Sequence, residues 1–391
     1  MEPEILPPDH NIASLRDANA ASDAPEPVIP PAAPPVPPPV FDFSSFFLDA
    51  EGLLRGGWSV LLFAFLTIPF STIFSSLAYS LYTTHHPASS GALDAPSMIA
   101  GMVAEFLTLL AATGVVAFVE HRPLLDYNLT GPSRFPHFLS GLAAGFAALS
   151  ILVGLMSMGG WLYFGPVQLT GSAVFHYAFL WSLGFLLVAF SEEGGFRCFL
   201  QFSLTRCLNF WWALAINLGF CLWLMIRSHG NGAWGVYLAA MAGLLPCLWM
   251  HREGIARRNF WFAAWVSSTA FGFIHTSNNG ENWIGILAAS AIGFVFCVSV
   301  YLTGSAWWAI GCHAAWDWAE TFFYGTADSG MIANGHFFST TATGNPFFSG
   351  GNDGPEGSLL VFPVILLLLV LVIALYRKTP TASTGNVESI A

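Results

Sequence analysis

The chain has 391 residues, of which 55% are apolar and only 9% are Asp, Glu, Lys or Arg, whereas soluble domains contain about 25% charged residues. So few charges cannot cover a soluble fold of this size, and 12 Lys and Arg residues are too few to neutralise a nucleic-acid backbone. The composition excludes a soluble enzyme, a disordered regulator and a nucleic-acid-binding protein. The net charge of −11 says little about partners, because several acids fall in tails and loops.

The first 42 residues are polar and then rich in proline, with the sequence PPVPPPV ending at Val40. Such a composition cannot bury a core and favours a disordered or polyproline II arm, which we predict to lie in the cytoplasm. The arm contains no apolar h-region, so the sequence predicts no cleavable signal peptide.

Ten apolar segments follow the arm, and their lengths are typical of transmembrane helices. The alternation that marks a membrane β-barrel is missing from the sequence. We therefore predict an all-α fold, a polytopic membrane bundle of about ten transmembrane helices. The segments are 57–82, 97–119, 138–162, 173–193, 209–226, 233–250, 259–275, 283–303, 305–323 and 358–376, and the fourth is expected to continue as helix to about residue 206.

The basic residues predict the orientation of this bundle. With the N-terminus in the cytoplasm and ten crossings, eleven of the twelve Lys and Arg residues fall on the inner side, and only Arg227 falls outside. Both termini are therefore predicted to be cytoplasmic. The polar segment 324–357, rich in Gly, Ser, Thr and Asn, is predicted to be an outward-facing loop.

The six cysteines are scattered through the apolar segments and form no CxxC pair. They are typical of small buried apolar residues in a membrane protein, rather than of a disulfide framework or a zinc site.

Ionisable residues inside apolar segments cost about 2.5–3.5 kcal/mol each and are functional candidates by default. The first group is the sequence SEEGGFR at residues 191–197. Glu193 and Arg197 are four residues apart and can pair on one helix face, which leaves Glu192 available for chemistry. The alternative for this motif alone is a structural ion pair at a helix end.

Two further groups follow in later segments. Phe271 and His275 form an FxxxH pattern, and His313 and Asp317 form an HxxxD pattern with both polar groups on one helix face. Taken singly, each pattern is also compatible with a structural histidine or a packing hydrogen bond between helices. Glu320 lies one turn beyond Asp317 and is a further candidate for the same site.

The expected depths of these groups in the membrane allow them to meet. At about 1.5 Å per residue, Glu192 lies about 20 Å from Arg206, and His275 lies about 25 Å from the start of its helix. His313 is shallower, about 12 Å from the start of its own segment. We therefore expect the three side chains to share one cavity. Glu105 is expected either to line this cavity or to pair with a residue elsewhere.

The ordered set EExxxR, FxxxH and HxxxD on apolar helices resembles the CAAX-protease and bacteriocin-processing (CPBP, or Abi) intramembrane endopeptidases, which include the prenyl-protein endopeptidase Rce1. The resemblance covers about residues 173–323 and extends to the sequence WWAIGCHAAW around the third motif. It implies an eight-helix family core, to which 209–250 adds an inserted hairpin. The predicted organisation is an arm (1–42), N-terminal helices (43–172), a catalytic core (173–323), a polar loop (324–357) and a last helix with its tail (358–391).

The resemblance also implies a role for each motif residue. Glu192 and His275 would bind and activate a water molecule, and His313 and Asp317 would polarise the scissile carbonyl and stabilise the oxyanion. The supporting residues would be Glu193, Arg197 and Phe271.

A mechanism without a metal is favoured, because the sequence contains no HExxH pattern. A zinc-dependent alternative, with Glu192, His275 and His313 as ligands, stays open because two histidines and a carboxylate are a normal catalytic zinc set. Two features depart from the family. Asp317 stands where Asn is frequent. An ionised carboxylate there would repel an oxyanion, so Asp317 would have to be protonated or to orient His313 instead. The spacing between the first two motifs is also long.

The function predicted from the resemblance is hydrolysis of a peptide bond near the membrane, in CAAX-type processing or in peptide or bacteriocin maturation. A membrane transporter and a non-catalytic scaffold are the alternatives, although the sequence contains no internal repeat of the kind many transporters have. The expected partners are membrane lipid and a peptide or membrane-protein substrate. The expected location is a bacterial cytoplasmic membrane.

Overall fold

The computed structural model describes residues 44–49, 52–85, 93–227, 244–278, 280–328 and 330–377. The predicted arm at 1–42 and most of the predicted segment 233–250 lie outside these residues. The described chain is mostly helical. Its α-helices are α1 (Ser44–Phe47), α2 (Gly56–His85), α3 (Ala95–Val119), α4 (Arg134–Met158), α5 (Ser172–Glu193), α6 (Gln201–Cys207), α7 (Phe210–Arg227), α8 (Leu244–Arg252), α9 (Arg258–His275), α10 (Trp283–Thr303), α11 (Trp307–Trp318), α12 (Pro346–Ser349) and α13 (Val361–Tyr376).

Within the described residues, six helices are long and apolar enough to cross a membrane. One of them is continuous over Ser172–Cys207, which confirms that the fourth predicted segment extends to about residue 206. The predicted segments 259–275, 305–323 and 358–376 also form helices, but these are shorter or less apolar than the six. A helical membrane bundle is therefore confirmed, whereas the count of ten crossings and the orientation of the termini stay predictions. The six are Gly56–Tyr82, Ala95–Val119, Arg134–Met158, Ser172–Cys207, Phe210–Arg227 and Trp283–Thr303.

A two-stranded antiparallel ribbon departs from the predicted all-helical pattern. Strand β1 (Leu162–Val167) pairs with β2 (Phe338–Ala342), with Leu162 opposite Ala342 and Val167 opposite Phe338. The two strands lie far apart in the sequence, so no local hairpin pattern announces their pairing. The ribbon ties the end of α4 to the loop after α11.

Two short π-helical stretches continue α5 and α11. Residues Gly194–Leu200 follow α5 and residues Ala319–Tyr324 follow α11. Such π-turns inside helices occur frequently at functional sites. Here each one begins within two residues of an acidic member of the predicted motifs.

Helices α4 and α11 pack at the close distance that only glycine permits. A Cβ atom on Gly141 or Gly145 would overlap the carbonyl oxygen of Trp308 or Cys312, and one on Gly311 would overlap the carbonyl oxygen of Phe138. Small residues at four-residue spacing allow helix backbones to approach in membranes. This contact sets the position of α11, the helix that carries His313.

We expect Gly145→Ala to destabilise the protein by about 1–3 kcal/mol, because the added methyl group must push α4 and α11 apart. Gly154→Ala is the matched control, since it lies on the same helix with nothing within 4 Å of an added Cβ. Removing a helical glycine there should be neutral or slightly stabilising. Thermal unfolding in detergent micelles measures both, and equal midpoints for the two variants would contradict the close packing.

Candidate active site

A buried ion pair is formed where α5 changes into its π-helical continuation. Arg197 Nε lies 3.2 Å from Glu193 Oε2, and both side chains are fully buried. The predicted pairing of these two residues is therefore confirmed. The guanidinium also lies over the ring of Phe271, 4.3 Å from its centroid, and near that of Phe296 at 5.4 Å. A buried cation is tolerated here because an opposite charge and aromatic faces replace its hydration.

The second oxygen of Glu193 binds the histidine of the third motif. Glu193 Oε1 lies 2.8 Å from His313 Nδ1, so one carboxylate connects Arg197 to His313. The sequence predicts a supporting role for Glu193 and its pairing with Arg197, but not this contact with His313. Because the carboxylate accepts the Nδ1 proton, Nε2 is the ring nitrogen that faces the remaining motif residues.

His313 Nε2 lies between two further carboxyl groups. It is 3.4 Å from Asp317 Oδ2, one turn along the same helix, and 3.8 Å from Glu192 Oε2 on α5. The His313 ring stacks on Phe296, with centroids 5.9 Å apart and planes inclined by 26°. The histidine is thus held on three sides, by Glu193, by Asp317 and by an aromatic face.

The FxxxH pattern has a simple local explanation. His275 Nδ1 lies 2.8 Å from the carbonyl oxygen of Phe271, one turn earlier on α9. This carbonyl accepts the Nδ1 proton, which leaves Nε2 as a hydrogen-bond acceptor. The Phe271 ring contacts the His275 ring at 4.7 Å and also covers Arg197. Phe271 therefore orients the second motif and shields the ion pair of the first.

One cavity of about 270 Å³ joins the three motifs. Glu192, His275, His313 and Asp317 all line it, although they come from three different helices. Most of the remaining wall is apolar and includes Val188. The structure therefore brings together all four residues that the sequence placed at the site.

Two other predicted candidates lie next to this cavity. Glu320 is 1% exposed and accepts a hydrogen bond from Trp316 Nε1 at 3.1 Å. Glu105 lines a separate cleft of about 530 Å³ between α2, α3 and α5. Glu192 borders both spaces, so it separates the cavity from the cleft.

Two carboxyl groups of the cavity wall were not predicted. Asp328 and Glu356 come from the loop between Tyr324 and Val361 and line the same cavity. Glu356 Oε1 lies 2.8 Å from Trp316 Nε1, and Asp328 Oδ2 accepts a hydrogen bond from Thr321 at 2.7 Å. The sequence signal that could have identified these two residues is their acidic character in a loop without Lys or Arg. Their position in a loop did not indicate that they lie near the helical motifs.

Burial raises the pKa of carboxyl groups in these loops. The pKa of Asp353 rises to about 7, because its burial outweighs the hydrogen bond from the backbone N–H of Asn282 and because Asp328 is near. The pKa of Glu281 rises to about 9, through burial and the nearby Asp353 and Glu356. Burial and the charge of Asp328 likewise raise the pKa of Glu356.

These raised pKa values predict that the free energy of unfolding falls as pH rises. A carboxyl group with a raised folded-state pKa stabilises the fold fully below its ordinary value, here 3.8 for Asp353, and loses this effect as pH rises through about 7. We expect Asp353→Asn to raise the unfolding midpoint at pH 8 by about 2–4 °C and to leave it nearly unchanged at pH 4. Glu253→Gln, on an exposed loop residue, is the control. Parallel pH curves for wild type and Asp353→Asn would contradict the assignment.

The motif residues are of the types that can bind a zinc ion. Zinc requires three protein ligands around one point, about 2.0–2.2 Å from the ion. Within the described part of the chain, no three His, Cys, Asp or Glu side chains converge in this way. His313 Nδ1 is bound to Glu193, and His275 Nδ1 to a backbone carbonyl. These are contacts that metal-binding histidines also make while they bind the ion through Nε2. The choice between a metal-free and a zinc-dependent site therefore stays a prediction.

A family model described as type II CAAX prenyl endopeptidase, Rce1-like, matches residues 248–319. The matched region contains the second and third motifs, with His275, His313 and Asp317, and begins after the motif of Glu192 and Glu193. No curated protein and no solved structure is significantly similar to the chain. The resemblance predicted from the motifs is confirmed. With the six apolar helices, the match indicates an integral membrane protein and implies protease activity.

Proposed function

We propose that this chain, which is similar to type II CAAX prenyl endopeptidases over residues 248–319, is an intramembrane endopeptidase that hydrolyses a peptide bond in the cavity between α5, α9 and α11. One observation carries the proposal. Glu192, His275, His313 and Asp317 line a single cavity, and a buried carboxylate orients one of its histidines. A structural role for the motifs would not require their polar atoms to face a common space.

In the proposed reaction Glu192 is the general base. Its carboxylate takes a proton from a water molecule, while His275 Nε2 accepts the other water proton in a hydrogen bond and holds the water in place. The water oxygen attacks the scissile carbonyl carbon. Glu192 then returns the proton to the leaving nitrogen as the C–N bond breaks, so that the carboxylate is regenerated.

His313 stabilises the oxyanion that forms in this step. In its imidazolium form it donates from Nε2 to the carbonyl oxygen, while Glu193 accepts from Nδ1 and compensates the charge. Asp317 Oδ2, 3.4 Å from Nε2, orients the ring before substrate binds. This assignment accounts for an aspartate at a position where ionisation would otherwise oppose the oxyanion.

The experiment is hydrolysis of quenched fluorescent peptides by the purified full chain in lipid vesicles. The peptides include prenylated C-terminal CAAX sequences and a random library, which separates CAAX-type processing from other peptide maturation. We expect cleavage that a metal chelator does not reduce. Loss of activity on chelation and its return with zinc would favour the mechanism with Glu192, His275 and His313 as ligands. Absence of cleavage of every peptide would overturn the proposed function.

A further inference from the structure

A pocket separate from the catalytic cavity lies at one end of the bundle, where several helices begin or end. It has a volume of about 650 Å³ and shares no lining residue with the catalytic cavity. Its walls come from the loop after α3, the end of α6, the first turn of α9 with the loop before it, and the end of α10. The pocket is therefore a feature distinct from the site of the three motifs.

Two helix ends place this pocket at the boundary between the hydrocarbon of the membrane and water. Two helices that are long and apolar enough to cross a membrane end beside it, one at Cys207 and the other at Thr303. The rings of Phe260, Trp261 and Tyr301 contact one another here, with centroids 4.8–5.3 Å apart. Aromatic residues concentrate at the depth of the lipid headgroups, so the pocket opens at that depth.

Two arginines give the pocket a positive charge. Arg257 and Arg258 both line it, and none of the described residues that line it is Asp or Glu. Neither arginine makes an ion pair within the described part of the chain. Arg206, which follows the lining residue Thr205, is different, because its Nη1 lies 2.8 Å from Glu120 Oε1. The pocket thus contains two guanidinium groups that can bind an anion such as a phosphate.

The other walls distinguish a lipid from a small soluble anion. Ile255, Phe260, Val300 and Tyr301 line the pocket beside the arginines. The guanidinium of Arg257 lies over the Tyr301 ring, 5.9 Å from its centroid, so charged and apolar surfaces are adjacent. Basic pockets between transmembrane helices bind anionic lipid headgroups. The phosphate then meets the arginines, and the glycerol and first acyl carbons meet the apolar side chains, whereas a free phosphate ion would use only the charges.

One wall of the pocket also supports the catalytic motifs. Asn128 lines the pocket, and its Nδ2 donates a hydrogen bond to the backbone carbonyl of Arg197 at 2.7 Å. The backbone carbonyl of Asn128 accepts a hydrogen bond of 2.8 Å from the N–H of Ala306, which directly precedes α11. Asn128 therefore joins the segment of the first motif to the helix of the third. A ligand bound against this wall stabilises the folded arrangement of both.

We propose that this pocket binds the headgroup of an anionic phospholipid, with Arg257 and Arg258 as the groups that bind its phosphate. The bound lipid stabilises the helix ends that meet around Asn128. The sequence predicts the inner side of the membrane for both arginines, so the lipid is one of the inner leaflet. The site does not depend on proteolysis, because none of its residues lines the catalytic cavity.

Titration with two lipids that have the same acyl chains tests this site. Fluorescent phosphatidylglycerol, which is anionic, and phosphatidylcholine, which is zwitterionic, are added to the purified full chain in micelles of a nonionic detergent. We expect phosphatidylglycerol to bind about 10-fold or more tightly than phosphatidylcholine, because each arginine near a membrane surface contributes about a 5-fold gain in affinity for anionic lipid. Equal affinities for the two lipids would overturn the site.

Two variants test which residues bind the headgroup. Arg257 has a φ of 60°, a left-handed conformation that glycine adopts without strain, so Arg257→Gly removes the charge without disturbing the backbone. We expect Arg257→Gly and Arg258→Gln each to lose about 5-fold in affinity for phosphatidylglycerol and to keep their affinity for phosphatidylcholine. Arg134→Gln is the matched control, because Arg134 is exposed, is predicted on the same side and does not line the pocket. Unchanged phosphatidylglycerol affinity in the double variant Arg257→Gly/Arg258→Gln would overturn the assignment.

Thermal unfolding in the same micelles distinguishes the lipid from other anions. Phosphatidylglycerol should raise the midpoint of the wild type by about 2–4 °C and that of the double variant by less. Inorganic phosphate with an equal effect would make the ligand a soluble anion and overturn the lipid. Without added lipid, we expect the double variant and the wild type to unfold at similar temperatures. A much lower midpoint of the double variant would mean that the arginines already have a partner within the chain, which would also overturn the lipid site.

Discussion

Replacing Glu192 by glutamine is expected to abolish peptide hydrolysis while leaving the fold intact. The amide cannot take a proton from water, and general acid–base catalysis contributes about 10²–10⁴-fold to rate. We therefore expect kcat to fall by about 10³-fold or more with little change in KM. The side chain is 26% exposed, so the loss of charge costs little stability. Peptide hydrolysis in vesicles and the thermal midpoint in micelles measure the two effects.

Two control variants test whether this result is specific to the carboxylate of Glu192. Glu253→Gln, the same change on an exposed loop, should retain full activity. Glu192→Asp should retain measurable activity, because the base is kept but its reach is shortened. Activity of Glu192→Gln within a factor of a few of wild type would exclude Glu192 as the base and leave the cavity without an assigned one.

Replacing Glu193 by glutamine is expected to have the largest effect on stability. The carboxylate is the only ion-pair partner of Arg197 among the described residues, and both groups are fully buried. Removing one member of a buried pair costs about 3–5 kcal/mol, because the other charge is left without compensation. The same change replaces the carboxylate at His313 Nδ1 by a neutral amide, which can still accept a hydrogen bond but cannot compensate the charge of an imidazolium. We therefore expect a large drop in the thermal midpoint together with loss of activity.

The double variant Glu193→Gln/Arg197→Met separates the two roles. It removes both charges, so it should recover much of the stability lost in Glu193→Gln, because no buried charge is then left without compensation. Its activity should stay low, because His313 still lacks its carboxylate. Recovery of activity together with stability would show that Glu193 acts only by holding the helix.

Local spacing explains which parts of the site were accessible from the sequence. Glu193 and Arg197, like His313 and Asp317, are four residues apart, and helical geometry alone puts such residues on one face. Both contacts are present, at 3.2 Å and 3.4 Å. The FxxxH pattern follows the same rule, because the Phe271 carbonyl lies one turn from His275.

The contacts between segments that are distant in the sequence could be identified only from the tertiary structure. Glu193 meets His313 across 120 residues, and Trp316 meets Glu356 across 40. No periodicity determines which helices become neighbours. That choice follows from packing, as in the glycine contacts between α4 and α11. The ribbon of β1 and β2 was missed for the same reason, since its strands pair over a long separation.

The sequence by itself determined that this protein is a helical membrane protein, and it located the motifs that carry its resemblance to the CAAX endopeptidases. It could do so because the apolar environment makes each ionisable residue costly, so the few that remain are informative. Only the tertiary structure decided that Glu193 connects Arg197 to His313 and that Asp328 and Glu356 line the cavity. The physical reason is that spacing along a helix sets which residues share a face, whereas packing between helices and loops sets which faces meet.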